Sequence, residues 1–348
     1  MTIREPLLGK TLAELVALAK DFGWPAFAGS QIADWLYKKH ATDVNEMTNL
    51  SKIVRTQLCE KFEVGNKTPA AAQTSKDGAR KYLFPTCGGQ AVETVMIPEA
   101  NRATLCVSSQ VGCRMGCRFC MTARQGFHAN LAAGEMINQF RSVEERDALT
   151  NAVFMGMGEP MDNVDELLKS LQILTAPWGF AWSPRRITVS TIGIVPAMKR
   201  FLEESECHLA VSLHNPFDGE RQELMPIQKA CPLQDVMNVI RQYDFSGQRR
   251  VSFEYILFDR WNDSPRHVDE LAALLQGLEC RVNLIRFHAI PHSALRPSPD
   301  SVVERFKNLL LRKGVMTTVR ASRGQDIMAA CGLLSTKHNN VAVIKSGV

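Results

Sequence analysis

Apolar residues in the first sixty positions return every three or four places: Leu12, Leu15, Leu18 and Ala19, then Ile32, Trp35 and Leu36, the two sets parted by Gly23 and Pro25. That spacing lines up one face of a helix and predicts a small helical unit over 10–60. From 65 to 90 the chain (GNKTPAAAQTSKDGARKYLFPTCGGQ) turns polar, carries a hairpin signature at Asp77 and Gly78, and reads as a connector. Beyond it, short apolar runs alternate with helical stretches. The runs are VETVMI (92–97), TLCVSS (104–109), AVFMGM (152–157), RITVST (186–191), CHLAVSLH (207–214), RVSFEYILF (250–258), RVNLIRF (281–287) and MTTVRA (316–321). LAAGEMINQFRSVEE and PDSVVERFKNLLLRKG are two of the helices between them. Strand and helix repeated at this pitch predict parallel β/α units, in which chemistry gathers at the C-terminal strand ends. The chain therefore divides into a helical domain (1–64), a connector (65–91), a barrel core (92–335) and a C-terminal tail (336–348).

Composition adds boundaries to this picture. The chain has 348 residues, 45% of them hydrophobic and 22% charged, enough for a sizeable core in an ordinary globular protein. No apolar run approaches the ~20 residues that span a bilayer, and MTIREPLLGKTL lacks the basic-then-apolar layout of a signal peptide. The expectation is a cytoplasmic protein with no membrane partner, a monomer by default. Its net charge of +5 permits a polyanionic partner without demanding one. Lys38, Lys39 and His40 form a basic patch, and Arg114, Arg118, Arg124, Arg185, Arg186, Arg249 and Arg250 fall near predicted turns where they could meet phosphates. Solvated surface charge is the alternative for any of them.

The ten cysteines have irregular spacings and do not suggest a disulfide scaffold in a reducing compartment. Cys59, Cys87, Cys207, Cys231 and Cys280 read as small buried hydrophobes. Cys113, Cys117 and Cys120 differ, because CRMGCRFC is a CxxxCxxC triplet. Three thiolates can hold three irons of a [4Fe-4S] cluster and leave the fourth for a cofactor. S-adenosylmethionine (SAM), bound through its amino and carboxylate groups, is the candidate. Structural zinc would need a fourth ligand; the nearest histidine, His128, sits at a plausible helix start, and no CxxC or HxxxH pair follows. Three unrelated buried thiols are the other alternative.

Further candidates fall at strand ends. In GMGEP (156–160), Gly158 permits close backbone approach and Glu159 can accept from an ammonium group, although a plain turn would also explain the motif. Ser190, Thr191 and Gly193 in VSTIGIVP, and Ser212, Leu213 and His214 in AVSLHNP, suit ribose and carboxylate recognition. His214 alone reads more readily as structural.

With CVSSQVGCRMGCRFC, GMGEP, LAVSLH, LMPI and AACG in place, the chain resembles the radical SAM adenine methyltransferases of RlmN/Cfr type over nearly its whole length. The resemblance implies an α/β fold, a partial (β/α) TIM-like barrel of radical SAM type preceded by a small RNA-contacting helical domain. It also implies a [4Fe-4S] cluster, SAM, 23S ribosomal RNA as substrate and an electron donor such as flavodoxin. An anticodon-loop adenine in transfer RNA is left open as a second target. Carbon 2 of adenine lies between two ring nitrogens and is too electron-poor to attack a sulfonium methyl, so a radical route has its own chemical logic.

By the same resemblance, one SAM methylates Cys331, and a second yields a 5'-deoxyadenosyl radical that takes hydrogen from that methyl. Cys106 then resolves the adduct through a disulfide with Cys331, and Glu93 in VETVMIPE is the base that removes the ring proton. Taken alone, Cys331 in DIMAACGLL and Cys106 on an apolar run read as buried thiols, and Glu93 as a surface carboxylate. The chain departs from the family at NLIRFHAIP, where His288 replaces the usual SAM-contacting asparagine; imidazole still donates a hydrogen bond. Pro160 favours carbon 2, since carbon 8 enzymes of Cfr type tend to carry alanine there. A non-catalytic, metal-containing RNA-binding protein is the reading from a different class; Arg286 receives no role.

Overall fold

The computed structural model describes residues 4–247 and 249–336, so the tail expected at 336–348 lies, from 337 onward, outside the described residues. The N-terminal unit holds α1 (Leu12–Asp21), α2 (Phe27–Tyr37) and α3 (Lys52–Lys61). Thr11 caps α1: its hydroxyl accepts from Glu14 N–H at 3.3 Å while the Glu14 carboxylate accepts from Thr11 N–H at 2.6 Å, which satisfies two donors that a helix start leaves open. Leu15, Ala19, Ile32 and Leu36 are buried, as their spacing predicts. β1 (Glu5–Pro6) pairs in parallel with β2 (Phe62–Glu63), bringing the two ends of the unit together. Within the basic patch, Lys39 pairs with Asp34 at 3.1 Å and lies over the Trp35 ring.

One ten-stranded sheet follows. Its antiparallel part is β3 (Ala71–Thr74), β4 (Arg80–Pro85) and β5 (Ala91–Glu99), which lead into β6 (Arg102–Cys106). β7 (Gln110–Gly112) and β8 (Phe127–Asn130) form a separate hairpin. The sheet resumes with β9 (Asn151–Phe154), β10 (Ile187–Thr191), β11 (His208–Ser212), β12 (Val251–Leu257), β13 (Cys280–Arg286) and β14 (Thr317–Val319). Within this sheet, every pairing of β6 and β9 to β14 with one another is parallel. Parallel neighbours need crossovers, which are supplied around α4 (Met121–Gln125), α5 (Ala133–Arg141), α6 (Val164–Thr175), α7 (Val195–Glu204), α8 (Asp218–Leu224), α9 (Leu233–Ile240), α10 (Pro265–Leu274) and α11 (Asp300–Arg312). Among the described residues the edge strands β3 and β14 do not pair, so the barrel stays open.

Strand residues alternate between two environments, as the pleat requires. Ile187, Val189 and Thr191 of β10 are buried, whereas Thr188 and Ser190 are half-buried; in β13, Val282 and Leu284 are buried while Asn283 and Ile285 are half-buried. The apolar set meets the helices. The polar set faces a hollow interior, unlike the layered side chains that fill a closed barrel.

Three expectations are corrected. Residues 65–91 are not a plain connector, since β3 and β4 extend the sheet around the hairpin expected at Asp77 and Gly78. All four residues of β3 are exposed, so an edge strand there has no apolar alternation to betray it. VETVMI belongs to an antiparallel strand rather than a β/α unit, because only a tight turn separates β5 from β6. His128 lies in β8, not at a helix start. Among the described residues no helix is long and apolar enough to cross a membrane.

Candidate active site

A cavity of about 200 Å³ sits at the C-terminal ends of the parallel strands, and Cys113, Cys117 and Cys120 line it. The loop carrying them is clasped by β7 and β8, with Cys113 N–H donating to the Gly126 carbonyl at 3.1 Å. Gly112 (φ +74°) is obligatory there, because a Cβ would run into the Gly126 carbonyl oxygen. Arg118 N–H donates to Leu224 O at 2.9 Å and Met121 N–H to Gly332 O at 2.8 Å, tying the loop to two distant segments. Burial raises all three thiols, Cys113 to about 12.

The next strand ends build a polar wall. Gly158 (φ +101°) lies against Gln110, and an added Cβ would meet the Gln110 Cβ at 2.5 Å; this contact sets the turn that presents Glu159. Glu159 is 4% exposed and accepts from Ile192 N–H at 3.0 Å and Met161 N–H at 3.1 Å. Burial nevertheless pushes its carboxyl up to about 7. Ser190, Ser212, His214 and His288 also line the cavity. His214 (φ +56°) accepts from Ile256 N–H at 3.0 Å, and burial lowers its pKa to about 3, so the ring is neutral. His288 shares a hydrogen with the Ser322 hydroxyl.

Two more thiols face the same space. Cys106 ends β6, is 7% exposed, and is pushed up to about 12 by burial. Cys331 lies on the irregular segment after β14 and is exposed. Both are free. Arg320 lines the cavity beside them, donating to Glu254 at 3.3 Å. Burial opposes its charge, yet Cys331, Glu254 and Cys106 together push its pKa up.

The donor set fits a multi-iron cluster. Two buried thiols and the half-buried Cys120 resist ionisation in this pocket, and bound iron would supply the compensating charge. Among the described residues no three His, Cys, Asp or Glu side chains are placed to hold one metal ion. The three thiols line one cavity, and a [4Fe-4S] cluster would take one thiol on each of three irons.

The comparisons with known proteins agree with this geometry. The Radical SAM superfamily model matches residues 107–273, and the ribosomal RNA large subunit methyltransferase N-terminal domain model matches 6–64. A protein of Parabacteroides distasonis named as a probable dual-specificity RNA methyltransferase RlmN is 58% identical, over 97% of this chain and 99% of its own length. The chain belongs to the RlmN family of radical SAM methyltransferases. A Syntrophotalea carbinolica protein named as a dual-specificity RNA methyltransferase RlmN is 42% identical over 94% of this chain and 88% of its own. The crystal structure of a radical SAM methyltransferase from Sphaerobacter thermophilus superposes with a TM-score of 0.89 at 41% identity, covering 95% of this chain and 99% of that one.

Within this RlmN-family chain, the structure brings Cys106, Cys113, Cys117, Cys120, Gly158, Glu159, Ser190, Ser212, His214, His288 and Cys331 to one cavity. Two expected site residues stand apart from its lining. The Leu213 side chain is fully buried, and its carbonyl accepts from Arg221 at 3.1 Å. Glu93 is 1% exposed and lies under the Cys331 segment, where one carboxylate oxygen meets Lys81 at 2.9 Å and the other accepts from Ser335 N–H at 2.9 Å. Arg286 lines the cavity and pairs with Asp300 at 2.7 Å.

Sequence reasoning missed Arg320 and Arg221. Arg320 directly follows β14, and an ionisable residue at a parallel strand end was the available clue. Arg221 is fully buried, and it donates to the carbonyls of Ile192, Ser212 and Leu213, joining the ends of β10 and β11. Its position in an ordinary amphipathic helix offered no clue.

Proposed function

We propose that this protein is an RNA methyltransferase that places a methyl group on carbon 2 of an adenine in 23S ribosomal RNA, with Cys331 as the carrier. The dual-specificity names of its relatives support a second RNA target, for which we propose an anticodon-loop adenine in transfer RNA. The observation that carries the reading is that Cys106 and Cys331, far apart in the chain, share a cavity with the CxxxCxxC thiols.

Cys113, Cys117 and Cys120 would hold a [4Fe-4S] cluster, and Gly158, Glu159, Ser190, Ser212 and His288 would hold SAM. When bound, these groups supply one-electron cleavage of a sulfonium and hence hydrogen-atom abstraction, which carbon 2 requires. Glu159 accepts from the ammonium end of the cofactor, a role that favours its ionised form. Cys331 takes up the methyl group, since it is the exposed thiol of the pair. Stripped of one hydrogen atom, the carbon bonds to the ring while still on the Cys331 sulfur, and the adduct would return one electron to the cluster and lose its ring proton. The Cys106 thiolate then attacks the Cys331 sulfur, so that the carbon–sulfur bond breaks with its electron pair on the carbon, which takes a proton as the methylated base leaves and the disulfide closes. Glu93 anchors the Cys331 segment through Ser335, and takes the ring proton once that contact opens. The reading extends to a cytosolic monomer reduced by a flavodoxin-class donor, with residues 1–64 contacting RNA.

Mass mapping of ribosomal and transfer RNA from a deletion strain tests this. The expected result is loss of 2-methyladenosine, restored by the wild-type gene. Loss of 8-methyladenosine instead would overturn the ring position, and unchanged RNA would overturn the activity.

A further inference from the structure

A second and larger groove, of about 1040 Å³, opens at the N-terminal ends of the same parallel strands. Its inner wall is polar, formed by Thr104, Thr188, Ser252, Asn283 and Thr318 on the inward positions of the strands. Met155, Glu254, Arg320, Ala321 and Arg323 line both this groove and the thiol cavity, so the two spaces meet at the Arg320–Glu254 pair. The C-terminal side is roofed: Met121 N–H donates to Gly332 O at 2.8 Å, the Thr122 hydroxyl to Leu334 O at 2.7 Å, and Arg124 to the Pro291 carbonyl. A large polar molecule therefore has its wide approach to Cys331 through the barrel from below.

The structure also sorts the arginines that stood out in the sequence. Arg249 turns inward to Leu202 O at 2.7 Å, and Arg114 pairs with Asp162 at 2.9 Å. Arg185 and Arg250, joined by Arg281, instead line the groove, where they are exposed. None of the three forms an ion pair among the described residues. Of the carboxylates at this rim, Glu99 lies 4.0 Å from Arg102, and Glu279 stands two residues before Arg281 in the chain. Unpaired guanidinium groups around a polar shaft suit a phosphodiester strand with one base drawn inward.

We propose that the RNA strand lies across this groove, with phosphates flanking the target nucleotide on Arg185, Arg250 and Arg281. The extruded adenine passes between Ser252, Asn283 and Thr318 and reaches Cys331 past Arg320. This assignment rests on the RNA methyltransferase reading above and adds the route and the residues that receive the backbone.

The test is binding of a synthetic RNA hairpin with a single loop adenine, followed by fluorescence anisotropy across a salt series. The triple variant Arg185→Gln, Arg250→Gln, Arg281→Gln should bind roughly 10- to 100-fold more weakly at low salt, and its salt slope should fall by about 2, at ~0.7 per lost single-strand phosphate contact. An unchanged slope in a variant that melts like wild type overturns the groove assignment. A photo-reactive benzoylphenylalanine replacing Ser246, on the groove wall, should crosslink to nucleotides beside the target adenine; crosslinks confined to the stem overturn it too. If the wild-type protein binds no hairpin, the RNA reading itself falls, an outcome distinct from wild-type binding that the variant leaves intact.

Discussion

Cys106 and Cys331 face one cavity from opposite kinds of structure. Cys106 is locked between two ladders, paired with Val95 of β5 on one side and Val153 of β9 on the other. Cys331 sits on an irregular segment outside any sheet, held by separate hydrogen bonds: Gly324 N–H donates to Asp77 at 2.8 Å, Lys76 N–H to Asp326 at 3.1 Å, Met121 N–H to Gly332 O at 2.8 Å, and Ser335 N–H to Glu93 at 2.9 Å. Met328, three residues before Cys331, has φ +54°, which a side chain of its size adopts only when surrounding contacts insist. On the function proposed above, a thiol that meets a methyl donor, a base and a second thiol in turn would use such a mount, and the thiol that waits would use a sheet.

The sharpest way to break this contrast is at Cys331. Cys331→Ala should lower methyl transfer to RNA by roughly 10³-fold or more, as loss of a covalent carrier does, while absorption near ~400 nm from the cluster persists. Retained transfer of labelled methyl would remove the carrier role. Cys106→Ala should instead accumulate a protein–RNA adduct, visible as a slow band in denaturing gels.

Glu93 comes next, because it accepts directly from Ser335 of the Cys331 segment. Glu93→Gln should cut turnover by roughly 10²-fold, the scale of a lost general base. It should also speed alkylation of Cys331, since Ser335 N–H loses an anionic acceptor. Turnover unchanged with alkylation accelerated would leave Glu93 as an anchor alone.

Alkylation of the wild-type protein sharpens the comparison by pH. Burial raises the Cys106 thiol to about 12, so it stays protonated at every pH below that and reacts slowly with iodoacetamide. Cys331 should be labelled at least ~10-fold faster at pH 8, because it is exposed whereas the Cys106 thiol is buried and protonated, with peptide mass spectrometry as the readout. Equal rates would mean that the strand opens as readily as the segment.

A smaller effect concerns Glu159. Its folded pKa of about 7 exceeds the ordinary 4.5, so its contribution to fold stability is complete below 4.5 and is lost as pH rises through about 7. SAM binding should follow the opposite course, tightening roughly tenfold from pH 6 to 8 as the carboxylate forms and accepts from the ammonium. Glu159→Gln should flatten that profile in calorimetric titration. The smallest change is Asp326→Asn, which should raise the Cys331 labelling rate by roughly a few-fold through looser local closure.

Much of this molecule was legible along the chain. The 3–4 spacing of Leu15, Ala19, Ile32 and Leu36 foretold the buried faces of α1 and α2, and the apolar runs from 104 onward foretold the parallel strands. The strand β3 was hidden, because every residue in it is exposed and an edge strand needs no apolar face. Leu213 and Glu93 show a subtler limit: a motif places a residue near a site, but the pleat decides whether its side chain faces the cavity or the packing behind it.

Residue type and spacing by themselves determined the chemistry on offer, since three thiols at CxxxCxxC spacing sit on one short loop wherever that loop lies. Only the tertiary structure decided that Cys331 and Cys106 meet there, that Arg320 stands beside them, and that Arg185, Arg250 and Arg281 ring the opposite mouth while Arg249 does not. The physical reason is one of range. Local patterns encode which face of an element is buried, whereas proximity between segments hundreds of residues apart follows from the order in which the strands are laid side by side.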